Sequence, residues 1–326
     1  LSGLVQLSSP FGRGDGFAAN ALASTTGGLA FALLGYTTPA GNDGIKLGLS
    51  ASALKYQLDR KTFQLDLNGQ AATANAYALY PVVRSRNLNL FTLASLDHKQ
   101  YEDRNINSRA RRSVQSLTVG TTGDFRDSML GGGVNTYDAS LMSGRVTYQE
   151  GATSSLDDDA TFTKFSYGYT RLQDLVTGRA LVYLSLRGQF AANNLDTTEQ
   201  FRLGGPEGVR AFATGEGTGD IGAVASLELR FLPPEDWFGR LAREVVASVF
   251  VDTGYVQYRY RPRLSNQPNA AKNTGLFSGA GVGVTWVHGN DYSLRLSVAK
   301  PISGTPRSGD DPGKVRVVLQ AAVLFN

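Results

Sequence analysis

Hydrophobic and polar residues of this chain alternate with a period of two over many short segments. In residues 221–231, for example, the apolar Leu227 and Leu229 flank the charged Glu228. Successive side chains of a β-strand point to opposite sides of its sheet, so the pattern predicts strands that lie between two different environments. The same alternation recurs in residues 182–190, 292–298 and 315–325.

The pattern predicts fifteen strands along the chain, and most are long enough to cross a bilayer when tilted. They cover residues 2–9, 15–25, 28–38, 44–57, 61–80, 86–101, 110–124, 129–149, 160–173, 179–193, 220–232, 244–259, 274–287, 291–302 and 314–325. Bacterial outer-membrane barrels have an even number of strands. We therefore expect a sixteen-stranded barrel whose first strand lies upstream of Leu1. A miscount within residues 126–150 is the alternative.

The surroundings of the two strand faces distinguish a soluble β-sandwich from an outer-membrane barrel. In a sandwich the apolar face packs on a second sheet, whereas in a barrel it contacts lipid and the polar face lines a lumen. The apolar faces here use alanine freely, and many of the 14 tyrosines and 16 phenylalanines lie near predicted strand ends. Both features favour an all-β fold, a transmembrane antiparallel β-barrel.

Five predicted connections are long, and long connections lie outside the cell in such barrels, whereas short turns face the periplasm. They are residues 103–110, 151–160, 195–219, 261–273 and 303–313. With residues 195–219 outside, the last predicted strand runs inward and Phe325 lies at the periplasmic rim.

The amino-acid composition excludes several classes of protein for this chain. The 326 residues contain no cysteine, which excludes a disulfide scaffold and thiolate chemistry, and no apolar stretch approaches 18 residues, which excludes helical membrane spans. His98 and His288 are the two histidines and lie far apart. Asp157, Asp158 and Asp159 fit a solvated external loop better than a calcium site. We expect no metal site and no cofactor.

Motifs of common enzymes and of nucleic-acid binding are missing as well. The glycines at 131–133 lack a following Gly-Lys-Ser/Thr, and the chain has no Gly-x-Ser-x-Gly. A net charge of +4 is mild. We therefore expect neither an enzyme nor a nucleic-acid-binding protein.

One predicted loop carries a distinctive motif, FRLGGPEGVRAF at residues 201–212, with Gly204 and Gly205 before its tip. The tip reads Val209, Arg210, Ala211 and Phe212. It resembles the inward-folding loop of the two-partner secretion outer-membrane transporters, the haemolysin and filamentous-haemagglutinin secretion proteins, and of their outer-membrane insertase relatives. In those proteins a Val-Arg-Gly-Phe/Tyr tip lies inside the barrel, so Ala211 stands where glycine is usual.

A second motif, VFVDTGYV at residues 249–256, resembles the Phe-x-Asp-x-Gly strand of the same superfamily. Phe250, Asp252 and Gly254 share one face of this strand by alternation, and the resemblance places that face toward the lumen. It also implies a contact between Arg210 and Asp252. Glu228, on the lumen face of its own strand, is a candidate second acceptor for the arginine.

The resemblance extends over most of the chain. SSPFGRGDGF at residues 8–17, GYTTPAGNDG at 35–44 and YPVVRSRNLNL at 80–90 are more similar to the secretion transporters than to the insertases. It implies that residues 1–326 form the barrel (translocator) domain, with periplasmic polypeptide-transport-associated (POTRA) domains and a plug helix upstream. It places the protein in the outer membrane of a Gram-negative bacterium.

The implied function is export of a large exoprotein to the cell surface by two-partner (type V) secretion, without ATP. The partner would be an adhesin, haemolysin or contact-dependent toxin with an N-terminal secretion domain. Further expected partners are outer-membrane lipid and lipopolysaccharide, and the barrel assembly machinery during insertion; the protein is expected to be a monomer. An outer-membrane assembly insertase is the first alternative, and a passive porin the second.

Charged residues on the predicted lumen faces fit either polar filling or a channel for an unfolded polypeptide. They are Arg187, Glu228, Arg230, Arg295 and Arg316.

Overall fold

The computed structural model describes residues 2–24, 28–57, 68–104, 109–149, 158–176, 178–262, 272–289 and 291–323. Within these residues seventeen strands form. They are β1 (Ser2–Ser8), β2 (Gly16–Ala23), β3 (Leu29–Ala40), β4 (Ile45–Gln57), β5 (Asn68–Arg84), β6 (Leu88–Arg104), β7 (Arg109–Asp127), β8 (Gly133–Gln149), β9 (Thr161–Val176), β10 (Ala180–Ala191), β11 (Phe201–Arg202), β12 (Thr218–Gly219), β13 (Ile221–Phe231), β14 (Val245–Gln257), β15 (Thr274–His288), β16 (Tyr292–Ser303) and β17 (Arg316–Val323).

Fifteen of these strands form one sheet in sequence order, with β10 next to β13, and β11 and β12 pair separately. The registers that the structure defines are all antiparallel. The fifteen long strands match the fifteen predicted ones, so the predicted all-β antiparallel class is confirmed.

Helical structure is confined to short segments at two connections. A three-ten turn covers Met129–Gly131, and α1 (Glu235–Phe238) is followed by the three-ten segment Gly239–Arg243. Among the described residues, none of the helices has the length and apolarity to cross a bilayer.

Parts of the predictions fall outside the described residues. These are Asp157, Phe325, residues 61–67 of the strand predicted from 61 to 80, and residues 105–108, 151–157 and 263–271 of the predicted loops.

Two sequence predictions near β7 are wrong. The predicted long loop at 103–110 is strand at both of its ends, because β6 continues to Arg104 and β7 begins at Arg109. Ion pairs from Arg109 and Arg111 to Glu102 connect these charged strand ends. Because the residues are charged, the alternation of apolar and polar positions that predicts a strand is not visible in this part of the sequence. The region 126–150 was not miscounted, since β8 is the one strand that begins within it among the described residues.

The predicted start of β8 at residue 129 is wrong for a backbone reason. Leu130, Gly131 and Gly132 have φ angles of 54°, 94° and 108°, which a β-strand does not accommodate. The strand therefore begins only at Gly133.

The chain divides into two compact units. The first contains residues 1–85, 89–122 and 140–164, and the second contains residues 86–88, 123–139 and 165–326.

In the first unit the two faces of the sheet differ in polarity. Leu49 and Leu96 lie on one face and are 62% and 61% exposed, and Leu117 of β7 is exposed as well. On the opposite face the Asn75 side chain donates a hydrogen bond to Asp97, with 2.8 Å between Nδ2 and Oδ1. The large apolar side chains therefore point outward, as a lipid-facing surface requires.

The second unit buries its apolar core against the polar face instead. Along β14, Val249 and Val251 are exposed, whereas Phe250 and Asp252 on the other face are buried. The segment between β10 and β13 covers this second face. The resulting core contains Phe201, Leu203, Val209, Ala211 and Phe212 of that segment and Val224, Phe250, Val256, Phe277 and Ala299 of the strands.

A matched pair of substitutions on β4 tests which face contacts lipid. Ala51 lies on the exposed apolar face and the neighbouring Ser52 on the polar face. We predict that Ala51→Arg lowers the free energy of unfolding by about 2–4 kcal/mol, the cost of an arginine near the bilayer midplane. Ser52→Arg should cost under about 1 kcal/mol, because its face is not in lipid. Urea unfolding in lipid vesicles measures both; equal losses would contradict the assignment of the faces.

Candidate functional site

Residues 192–220, here called the inner loop, leave β10 and return to β13 across the polar face of the sheet. The loop doubles back on itself, with Gly204 bridged to Val209 and the Val209 N–H donating to the Leu203 carbonyl at 2.9 Å. A Cβ at Gly208 would lie 1.9 Å from that same carbonyl oxygen, and Gly205 has a φ of +116°. Both positions therefore require glycine.

The inner loop carries Arg210 into a buried position, where it meets a carboxylate of β14. The arginine is 7% exposed and Asp252 is 0% exposed. Nε and Nη2 of Arg210 donate to the two carboxylate oxygens at 2.9 and 2.8 Å, and the backbone N–H of Arg210 adds a bond of 3.0 Å. A guanidinium met on two nitrogens by one carboxylate has a fixed orientation.

Three further groups complete the surroundings of the guanidinium. Nη1 of Arg210 donates to Glu228 at 2.9 Å, and Nη2 donates to the hydroxyl of Ser226 at 3.0 Å. The plane of the guanidinium lies over the ring of Phe250, with 3.2 Å between Cζ and the ring centroid. Burial alone would lower the pKa of Arg210, but the two carboxylates outweigh it and raise the pKa above its usual value.

Further arginines surround the second carboxylate of this cluster. Arg230 donates to Glu228 at 2.9 Å and Arg295 approaches it to 4.0 Å, so three arginines face the two carboxylates Glu228 and Asp252. Removing one partner of such a buried pair typically costs about 3–5 kcal/mol, because the other charge is left without compensation.

Apolar contacts on either side of Arg210 hold the tip against the sheet. Phe212 packs edge-on against Phe277, with 5.0 Å between ring centroids. Val209 lies against Gly254, where an added Cβ would come within 3.1 Å of the valine. Glycine in β14 therefore allows the loop to approach the strand closely.

Ala211, which replaces the usual glycine of the tip, fits this geometry. Among the described residues only Ser9 and Leu130 combine a side chain with a positive φ, so the backbone at Ala211 suits any residue. Its methyl group points at Gly279, where a Cβ would lie 2.4 Å away.

The structure brings all ten sequence-predicted site residues into this one cluster. Gly204, Gly205, Val209, Arg210, Ala211 and Phe212 belong to the inner loop, and Glu228, Phe250, Asp252 and Gly254 belong to the strands beneath it.

The other predicted lumen charges take different roles. Arg187 supports the loop, since it donates to the carbonyls of Glu207 and Arg202 at 2.9 and 3.0 Å. Arg316 pairs with Asp310 outside the cluster. Among the described residues, none group as a set of three or more possible metal ligands.

Sequence reasoning missed the carboxylate that fixes the far end of the inner loop. Asp220 is 0% exposed and accepts hydrogen bonds from the Leu195 and Tyr260 N–H groups at 3.2 and 2.8 Å and from Gln200 at 2.8 Å. Burial raises the pKa of Asp220. A lone aspartate immediately before β13 was the one available signal.

A second carboxylate that the sequence analysis did not identify, Glu216, links the inner loop to the connection between β16 and β17. Glu216 accepts from the backbone N–H groups of Arg307 and Ser308 at 2.8 and 3.3 Å. Burial alone would raise the pKa of Glu216, but these bonds outweigh it and lower the pKa. Arg307 also stacks on Tyr258, with 3.3 Å from Cζ to the ring centroid.

Comparison with protein families matches residues 2–286 to the haemolysin secretion/activation protein family ShlB/FhaC/HecB. The chain belongs to this family. Among its relatives, the heme/hemopexin transporter protein HuxB of Haemophilus influenzae is 25% identical over 317 residues. That match covers 95% of this chain and 54% of HuxB, so the chain spans about half the length of the curated relative.

Solved structures agree on the fold. CdiB from Escherichia coli superposes with a TM-score of 0.75 at 20% identity, covering 100% of this chain and 59% of CdiB. BamA from Haemophilus ducreyi, lacking POTRA domains 1–3, gives a TM-score of 0.67 at 16% identity and covers 98% of this chain and 67% of that one. The predicted class, a transmembrane β-barrel of the bacterial outer membrane, is confirmed.

Loosening the Arg210–Asp252 contact should expose the tip of the inner loop. The chain has no native cysteine, so Val209→Cys, at a position with 0% exposure, introduces a unique reactive group. Adding Asp252→Asn leaves Arg210 with Glu228 as its remaining carboxylate partner, and a cost of about 3 kcal/mol accelerates maleimide labelling by about 100-fold. Thr253→Val, on the exposed face of the same strand, is the control and should leave the rate unchanged. Equal labelling of the two variants would show that the pair does not hold the loop.

Proposed function

We propose that this chain is the barrel of a transporter that exports a large partner exoprotein across the outer membrane by two-partner secretion. Membership of the secretion family supports this proposal. The observation that carries it is the buried Arg210–Asp252 pair, because a barrel that only passes small solutes needs no loop pinned to its inner wall by a costly ion pair.

In this proposal the inner loop is a latch. While Arg210 is bound by Asp252 and Glu228, the loop occupies the polar face of β13 to β15. Passage of an extended polypeptide requires the loop to leave that face. The exported chain then offers its own polar groups to the carboxylates and arginines of the wall, which offsets part of the cost of breaking the pair.

Recognition of the exported protein is assigned to parts of the transporter upstream of this barrel. We propose periplasmic POTRA domains that bind the N-terminal secretion domain of an adhesin, haemolysin or contact-dependent toxin, and a plug helix, with the barrel as the conduit. The similarity to HuxB, named as a heme/hemopexin transporter, and to CdiB supports a dedicated protein partner. Transport uses no ATP and involves no enzymatic step.

The similarity to BamA favours a second candidate, an insertase for outer-membrane proteins. The two functions differ in their clients. Depletion of an insertase lowers the amounts of many barrels in the outer membrane, whereas deletion of a two-partner transporter stops the export of its own exoprotein and leaves the other barrels unchanged.

Loss of the latch arginine tests the proposed function in the full-length transporter. We predict that Arg210→Ala abolishes secretion of the partner exoprotein while the barrel remains inserted. Arg202→Ala is the matched control, because this arginine is exposed on the same loop and its side chain is not in the cluster. Secreted exoprotein in the medium is measured against barrel abundance in the outer membrane. Normal export by Arg210→Ala at normal abundance would disprove the latch.

A further inference from the structure

The connection from β16 to β17, residues 304–315, contacts the inner loop at a place distant in sequence from Arg210, and it is here called the strap. Glu216 of the inner loop is 5% exposed, and its two carboxylate oxygens accept the backbone N–H groups of Arg307 and Ser308 at 2.8 and 3.3 Å. Consecutive backbone N–H groups that converge on one carboxylate form a small anion-binding nest. The strap therefore binds the loop through its own backbone.

The strap is also attached to the strands, independently of Glu216. The guanidinium of Arg307 stacks on Tyr258, with 3.3 Å from Cζ to the ring centroid, and donates to the carbonyl of Lys272. Tyr258 packs against the core of the second unit. Gly304, where the strap begins, has a φ of +111°, and a Cβ there would lie 2.7 Å from the ring of Phe277 in the same core. The strap is therefore fixed to the wall that the inner loop covers.

Charged groups and a hollow mark the other end of the strap. Asp310 pairs with Lys314 at 3.6 Å and with Arg316 at the start of β17. A hollow of about 260 Å³ lies between the inner loop and residues 314–318. At this end the strap is folded back on β17 and leaves a gap beside the loop, which gives the two segments room to separate.

The residue that the strap binds belongs to the same folded piece as the tip. The carbonyl of Glu216 accepts the N–H of Gly204 at 2.9 Å, and its own N–H donates to the carbonyl of Ala213 at 3.0 Å. Gly204 is bridged to Val209, and Ala213 directly follows Phe212. Because these backbone bonds join residue 216 to both sides of the tip, the tip cannot leave the wall as one piece while Glu216 stays bound.

The strap lies at the same end of the second unit as the two ends of the inner loop. Neighbouring strands alternate in direction, and the sheet order places the connections from β10 to β13 and from β16 to β17 on one side. Long connections lie outside the cell in such barrels. Asp252 lies within β14, away from the strand end at Gln257. The strap therefore holds the loop at its outer end, and Asp252 holds it further along the wall.

We propose that the strap is a second restraint on the inner loop and must detach from Glu216 before the tip leaves the wall. This proposal rests on the proposed function of the inner loop as a latch, and it adds a contact that regulates the same latch from the outer end. The bonds at Glu216 stabilise the closed loop beyond what the contacts of Arg210 supply, so a transporter without an exoprotein stays closed.

Labelling of a buried cysteine measures the second restraint without any exoprotein. In a full-length transporter carrying Val209→Cys, we predict that Glu216→Ala accelerates maleimide labelling about tenfold, the effect of losing a hydrogen bond to a charged group. Glu207→Ala is the matched control, because this glutamate lies on the same loop and is exposed. Its labelling rate should stay within about twofold of the unaltered one, as for most surface substitutions. Equal rates for the two variants would overturn the strap.

A second reporter separates release of the loop from general loosening of the barrel. Val114 of β7 is 0% exposed and belongs to neither the inner loop nor the strap. With Val114→Cys in place of Val209→Cys, Glu216→Ala should leave the labelling rate unchanged, and heat-dependent migration on gels verifies folding of each variant. Equal acceleration at both reporters would show general destabilisation and would overturn the proposal.

A variant on the strap itself keeps the proposal testable if Glu216→Ala does not fold. Arg307→Ala removes the stacking on Tyr258 and retains the backbone N–H that binds Glu216. We predict that it accelerates labelling of Val209→Cys about threefold, the effect of one cation–π contact. Unchanged labelling in a folded Arg307→Ala protein would show that the strap is not fixed to the wall and cannot restrain the loop.

A double variant tests whether the strap and the latch act as separate restraints. Free energies of independent contacts add, so Asp252→Asn combined with Glu216→Ala should label Val209→Cys about tenfold faster than Asp252→Asn alone. No gain would overturn the second restraint. Because no exoprotein is used, a failed export test on Arg210→Ala alongside these labelling rates would disprove the proposed function and leave the strap standing.

Discussion

A buried arginine is the constraint on which the second unit depends. A guanidinium loses its hydration when it is buried, and its position is stable only where carboxylates and acceptors replace the water. Asp252, Glu228 and Ser226 supply those groups from two adjacent strands, and Phe250 covers the plane of the guanidinium. Glycine at Gly254 lets the loop come close enough for these contacts. Loss of any one of these features would leave the buried guanidinium with fewer of the groups that replace its water.

The apolar residues are divided between two surroundings. Leu96 and Val251 remain exposed because they face lipid, so the outer surface contributes no protein core. The core forms instead on the polar side, where Phe212 and Phe277 pack beneath the inner loop. Stability of the loop therefore combines an ion pair with a small apolar cluster. In the proposed function, such a combination holds the loop on the wall and releases it once the charges find other partners.

The strands were predictable because alternation between lipid and lumen is imposed on every one of them, and β14 shows it at each residue from Val249 to Val256. The Arg210–Asp252 contact was predictable because two motifs identify its partners across 42 residues. Glu216 and Arg307 lie 91 residues apart and neither belongs to a motif, so their contact depends on loop conformations that no local pattern encodes. The charged ends of β6 and β7 were misread as a loop because their charged residues, which form ion pairs such as Arg109–Glu102, carry no hydrophobic period.

The central claim, that the inner loop must leave the wall before a polypeptide passes, is tested most directly by a reversible covalent tether. Phe212 of the inner loop and Phe277 of β15 are in contact, and the chain has no native cysteine to interfere. In a full-length transporter carrying Phe212→Cys and Phe277→Cys, export of the partner exoprotein should stop when the disulfide forms and resume on reduction. Each single variant should be indifferent to the redox state. Normal export by the oxidised, cross-linked barrel would contradict the account.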